Sequence, residues 1–293
     1  MFSVENVDYT DYTNRQLLAV PAGILLATFV IIGATMALTG TPAHLGQEFT
    51  GGVTVQVTTD ASMDQVRSDF TSVTTPESVQ STRTGYILSY QPLSENEMDQ
   101  LRSVASGYSE NSVDQISPTY GASLQTQGIS AVVFAFAVMS IIIFAFFRTV
   151  VPSFAVVLSA FSDMMVPIGV MNLLGIDLSL ATIPALLLLI GYSIDSDILL
   201  TRSVLKGRRS EFHENVEKAM ETGITMTTTS MAAMFAMAVV SHLASIFVLR
   251  DIGVILFVGL GVDIINTYMM NVSLLRWDIV DRRGKASNSR GGA

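Results

Sequence analysis

Six apolar runs of about twenty residues divide this 293-residue chain, at 17–38, 128–147, 150–174, 178–200, 223–243 and 252–275. A helix of that length rises about 30 Å, the thickness of the hydrocarbon core of a bilayer. In lipid, every backbone N–H and C=O must be satisfied within the segment, so runs of this kind are confined to helices. Composition agrees: 49% of residues are hydrophobic and 14% charged, against about a quarter charged in a soluble domain. The expected fold class is an α-helical integral membrane protein with six transmembrane helices.

Three runs carry carboxylates. Asp163 lies near the middle of the third, Asp195 and Asp197 late in the fourth, and Asp263 near the middle of the sixth. An Asp at the bilayer centre costs roughly 2.5–3.5 kcal/mol on insertion scales, so such residues face protein or water within a bundle. Low dielectric favours the neutral form of a carboxyl group, and a second carboxylate nearby favours it further. These four residues are therefore candidates for an ion or proton relay. The alternative is that they tie helices together through hydrogen bonds to Ser162, Ser193, Ser196, Thr227, Thr228, Thr229 and Asn266. Thr222, Thr228 and Thr229 belong to a hydroxyl-rich stretch at the start of the fifth run.

Lys and Arg set the orientation. With the N-terminus in the cytoplasm, twelve of the sixteen basic residues lie inside. Only Arg67, Arg83, Arg102 and Arg250 fall outside. The chain then divides into a cytoplasmic N-terminus (1–16), spans at 17–38, 126–147, 150–174, 178–200, 223–243 and 250–275, an extracytoplasmic domain (39–125), a cytoplasmic loop (201–222) and a cytoplasmic tail (276–293). Its end, 284–293, has the composition of a disordered segment. The first run follows an acidic segment and is long for a signal peptide, so it reads as a retained anchor.

The outside domain shows the order β-α-β-β-α-β. Residues 53–57 alternate apolar and polar, a strand pattern. Residues 62–73 read as a helix with Ser62 as N-cap. Strands at 78–82 and 86–90 flank Thr84-Gly85, a hairpin signal. Ser94-Glu-Asn-Glu97 is a capping box that opens a second helix, and 112–117 closes as a strand. This order suggests a ferredoxin-like domain.

The chain has no Cys and three dispersed His, so thiol chemistry is excluded and neither a metal site nor a cofactor is expected. The net charge is −9, and ten acidic residues against three Arg crowd 41–125. That balance argues against nucleic acid as a partner and suits a salt-rich surrounding. No Walker motif or nucleophile–base pair is present, so no enzymatic activity is expected.

Five segments, in order, resemble the SecD and SecF protein-export family. Leu45-Gly-Gln-Glu-Phe-Thr-Gly-Gly52 resembles the motif after that family's first helix, carried here by Gly46, Glu48, Phe49, Gly51 and Gly52. Ser162-Asp163-Met164 resembles a His-Asp-Val motif of the third helix. The stretch 175–182 and Gly191-Tyr192-Ser193-Ile194 resemble segments of the fourth, and 222–230 the Thr- and Ser-rich start of the fifth. The arrangement resembles that of the archaeal SecF branch of this family, which lies within the resistance-nodulation-division superfamily. The resemblance implies a heteromer with a SecD-like six-helix protein, working beside the Sec channel on a translocating polypeptide and driven by ion flow. A stand-alone transporter of lipids or small molecules and a purely structural partner of SecD are the alternatives. Two departures bear on the ion pathway. Where bacterial relatives read Asn-Asp-Thr, this chain has Asp195-Ser196-Asp197, and a one-residue shift turns a side chain about 100° around a helix. Glu221 stands where a basic residue is usual.

Overall fold

The computed structural model describes residues 12–282. The expected disordered tail at 284–293 and most of the N-terminal segment lie outside the described residues. Helix α1 (Asn14–Thr39) opens on a reciprocal Thr13/Gln16 capping box and stops at Gly40 in the left-handed conformation. A short helix α2 (Gln47–Thr50) leads into a sheet domain. Its elements are β1 (Gly52–Thr58), α3 (Met63–Thr71), β2 (Ser78–Ser81), β3 (Gly85–Tyr90), α4 (Glu95–Ala105) and β4 (Glu110–Ile116). Five long helices follow: α5 (Pro118–Phe147), α6 (Val150–Leu174), α7 (Thr182–Lys206), α8 (Phe212–Leu243) and α9 (Phe247–Ile265). The last continues through π-helical turns at Asn266–Asn271, a short α10 (Val272–Arg276) and further π-helical turns at Trp277–Arg282.

The sheet runs β2-β3-β1-β4 with every neighbouring pair antiparallel. Period-two alternation puts Val53, Val55 and Val57 of β1 on one face, where Val66, Phe70, Met98 and Leu101 of the two helices cover them. Leu88 and Tyr90 join that core from β3.

Among the described residues five helices, α1 and α5–α8, are long and apolar enough to cross a membrane. The α-helical part of α9 is as apolar as the others but carries three charged residues, Arg250, Asp251 and Asp263, within its 19 residues. Helix α6 is the centre of the bundle, with Ser153, Ser159, Ser162 and Asp163 all buried. Helices α1 and α5 have largely exposed, apolar faces, as lipid-facing helices do.

The apolar runs mark the hydrophobic stretches, but the helices extend past them. Helix α5 starts at Pro118, with its N-cap hydroxyl from Ser117, and its 30 residues rise about 45 Å. Residues 201–206 and 212–222, placed in a loop by hydropathy, are helical, which leaves only 207–211 between α7 and α8. Hydropathy sees the membrane boundary and not the helix end. In the opposite sense α7 begins at Thr182 rather than 178. The backbone of Leu178 is held by another segment: Gly46 N donates to Leu178 O (2.8 Å) and Leu178 N to His44 O (2.7 Å).

One end of the bundle gathers Leu17 of α1, Val204 of α7, Phe212 and Val216 of α8, and Val272 and Leu275 of the last turns. There Ser273 Oγ donates to Asn14 O (2.8 Å) and Arg276 Nη1 to Tyr12 O (2.9 Å). Both ends of the described chain therefore meet at one end of the bundle. The sheet domain joins it at the other end of α1.

Candidate functional site: a buried carboxylate cluster

Three of the four predicted acidic residues come together. Asp163 of α6, Asp197 of α7 and Asp263 of α9 are all buried. Asp163 accepts from Asn266 Nδ2 (2.6 Å), from Ser159 Oγ (3.4 Å) and from Ser193 Oγ across the α6–α7 interface. Asp197 accepts from Thr267 Oγ1 and Asn271 Nδ2, each at 2.9 Å. Asp263 accepts from Ser196 Oγ at 2.9 Å on both oxygens and from Thr267 Oγ1 at 3.3 Å. Thr267 therefore touches two carboxylates, and each of the three helices is tied to another through the cluster.

Every donor is a neutral hydroxyl or amide. Among the described residues no Lys, Arg or His forms an ion pair with any of the three carboxylates. An unpaired ionised carboxylate deep in a bundle is costly, and short polar donors lower that cost without adding a counter-charge. A hydrogen-bonded chain of this kind can pass a proton or hold a small cation.

Asp195 does not join. It is exposed on α7 and lines a pocket of about 90 Å³ with Tyr192, Ser196, Gly223, Met226, Thr227, Ser230 and Leu260. That volume is about three water molecules' worth. Ser196 lines the same pocket while its hydroxyl reaches Asp263, so it stands between the exposed α7–α8 face and the buried cluster.

The hydroxyl-rich face of α8 does not meet the cluster either. Thr222 Oγ1 donates to Lys218 O (3.3 Å), Thr228 Oγ1 to Ile224 O (2.6 Å) and Thr229 Oγ1 to Thr225 O (2.7 Å). Each is satisfied one turn back along its own helix, the usual solution for Thr in an apolar helix. Glu221 and Thr222 are exposed. In the fourth-span motif, Gly191 is exposed with nothing within 4 Å, Tyr192 is half-buried, and Ser193 reaches Asp163.

Ser159, Thr267 and Asn271 escaped the sequence reading. A signal was available: Asp263, Asn266, Thr267 and Asn271 stand at i, i+3, i+4 and i+8, one face of a helix. The π-helical turns that begin at Asn266 are a feature often found at functional sites.

The motif after α1 forms a joint between the sheet domain and the bundle. Gly51 has φ +79°, and a Cβ there would lie 2.7 Å from Pro118 N at the start of α5. A Cβ on Gly121 would lie 2.7 Å from Phe49 O, while Phe49 itself is buried. Gln47 Nε2 donates to Tyr90 O (3.1 Å) and its Oε1 accepts from Thr54 Oγ1 (2.7 Å), tying α2 to β1 and β3. Gly46 is held by Leu178, and a Cβ on it would lie 2.6 Å from Glu48 Oε2. Beside this joint, desolvation raises the Asp177 carboxyl above its ordinary value, while His44 opposes the shift.

With this geometry in view, the comparisons are specific. Residues 96–280 match the family described as protein export membrane protein SecD/SecF, C-terminal. The chain is similar to the protein-export membrane protein SecF of Haloferax volcanii, at 46% identity over 94% of this chain and 96% of that one. It is 44% identical to SecF of Haloquadratum walsbyi, again over 94% and 96% of the two chains. Its fold is similar to the crystal structure of SecDF, a translocon-associated membrane protein from Thermus thermophilus. The TM-score is 0.71 at 20% identity, over 95% of this chain and 40% of that longer one. The chain belongs to the SecF branch of the SecD/SecF family of protein-export membrane proteins.

Proposed function

We propose that the chain is an accessory subunit of protein export that works with a SecD-type partner in the cell membrane. Near full-length likeness to proteins named for protein export carries this reading. It is a multi-pass membrane protein, and the acidic surface together with relatives from Haloferax and Haloquadratum suits an archaeal, salt-adapted setting.

The finer reading has four parts. The sixth span is α9 with its π-helical continuation. Both termini are cytoplasmic, which fits their meeting at one end of the bundle and the Lys and Arg count. The sheet domain, whose strand order is that of a ferredoxin-like unit, lies outside the cell and handles the polypeptide beside the Sec channel. Asp163, Asp197 and Asp263 relay an ion, and Ser196 links them to the face that carries Asp195.

That face supports the partner reading. Asp195, Thr222, Thr225 and Thr229 are exposed on or beside spanning helices. Lipid contact at such residues is unfavourable, and a second bundle covering them removes it. The dense neutral hydrogen bonding also favours a second reading, in which the cluster only fixes helix packing. Purification under mild detergent tests the main one. A stable heteromer with a second, SecD-like six-helix protein is the expected result, and a functional homotrimer alone would oppose it.

A further inference from the structure

The two edges of the sheet differ. Strand β2 is four residues long and follows Pro76 closely, both devices that discourage further pairing. Strand β4 is seven residues long and stays in unbroken register with β1 from Gly52↔Ile116 to Thr58↔Glu110. It contains no Pro, Lys or Arg. Asn111, Ser112, Asp114 and Gln115 are exposed, and among the described residues no backbone hydrogen bond reaches the free side of β4. A seven-residue edge in unbroken register, without Pro or Lys, is a template for another strand.

A groove of about 370 Å³ runs beside this edge, between β4 and α4. Gln115, Leu93 and Met98 line it together with Glu95, Asp99 and Arg102. Arg102 is drawn to Asp99 at 4.0 Å, and Asp114, paired with Thr54, stands on the opposite face of the strand from Gln115. Gln115 of the edge strand lines the groove, so side chains of a further strand that share its face would project toward it. Its excess of carboxylates complements Lys and Arg.

We propose that the free edge of β4 takes up an extended segment of an unfolded polypeptide as a fifth strand. Main-chain hydrogen bonds hold it with little regard to sequence, and the acidic groove favours segments with basic side chains. That the segment belongs to an exported chain rests on the export reading; strand addition itself does not.

The absence of Cys allows a direct test on the full-length chain in detergent. Ser112→Cys is introduced on β4, and Gln80→Cys on β2 in a second variant. Each is oxidised with copper phenanthroline in the presence of twelve-residue peptides of alternating Thr, Val and Lys, with one Cys moved stepwise along them. With Ser112→Cys, alternate peptide positions should cross-link at least five-fold better than their neighbours. N-methylation of alternate amides should abolish the adduct in one of its two registers, and replacing Lys by Glu should weaken it several-fold. Gln80→Cys should give background only. No adduct, cross-linking without a period of two, equal reaction at Gln80→Cys, or a disulfide-linked homodimer in place of the peptide adduct would each overturn the proposal. No SecD-type protein enters this assay, so its failure is distinct from failure of the co-purification.

Discussion

Ser196 has two neighbours that matter: its hydroxyl donates to Asp263, and its other side faces the pocket shared with Asp195. At this scale the sequence reading was half complete. An Asp among apolar residues announces itself, so Asp163, Asp197 and Asp263 were legible. Which of Asp195 and Asp197 faces inward was not, because that depends on how α7 is rotated against α6 and α9. The structure turns Asp197 in and Asp195 out. Substitutions should separate the two. Asp195→Leu leaves the thermal stability of the isolated chain within about 0.5 kcal/mol, as for other exposed positions, but weakens association with the partner. Ser193→Ala removes a donor from a buried carboxylate and should destabilise by about 1–3 kcal/mol in denaturant unfolding. Equal effects of the two on stability would contradict the assigned orientations.

At the scale of elements, the sheet domain was the most legible part. Its alternation, capping box and hairpin glycine act over short distances, and the helices and strands lie within a few residues of the sequence expectation. The capping box of α4 is complete: Glu97 Oε2 accepts from Ser94 N (2.9 Å) and Ser94 Oγ (2.6 Å). Those bonds hold the Glu97 carboxyl below its ordinary value of 4.5. A carboxylate with a lowered value contributes stability above its ordinary value and loses it as pH falls through the lower one. The difference in melting temperature between the unmodified chain and Glu97→Gln should therefore close as the solution is acidified below the ordinary value of 4.5. A difference that persists would exclude the cap as its source. The helix ends were less legible, because the joint that sets them is made of residues distant in sequence. Gly46 against Leu178, and Gly51 against Pro118, are contacts no local pattern reveals. Gly51→Ala combines a left-handed φ with a contact at 2.7 Å and should cost roughly 1–3 kcal/mol in equilibrium unfolding. A neutral outcome would mean that the joint is slack.

At the scale of the whole molecule, the bundle and the sheet domain meet at a joint whose far side is the α6–α7 turn. Helix α7 runs from that turn past Ser193, Ser196 and Asp197. One rigid element thus links the joint to the carboxylates, the route by which the proposed ion relay would reach the sheet domain. The ten acidic residues against three Arg in 41–125 set a further expectation. Raising KCl from about 0.1 to about 2 M, which shortens the Debye length from about 10 Å to under 3 Å, should raise the melting temperature of the purified chain. A flat response would remove salt adaptation from the account. The central claim is that the buried carboxylates drive export rather than only hold helices together. The direct measurement is the export rate of a secreted reporter in cells whose only copy carries Asp163→Asn, with the amount of SecD-type partner that co-purifies measured alongside. The account predicts that export falls several-fold while co-purification is unchanged; export at the unmodified rate would contradict it.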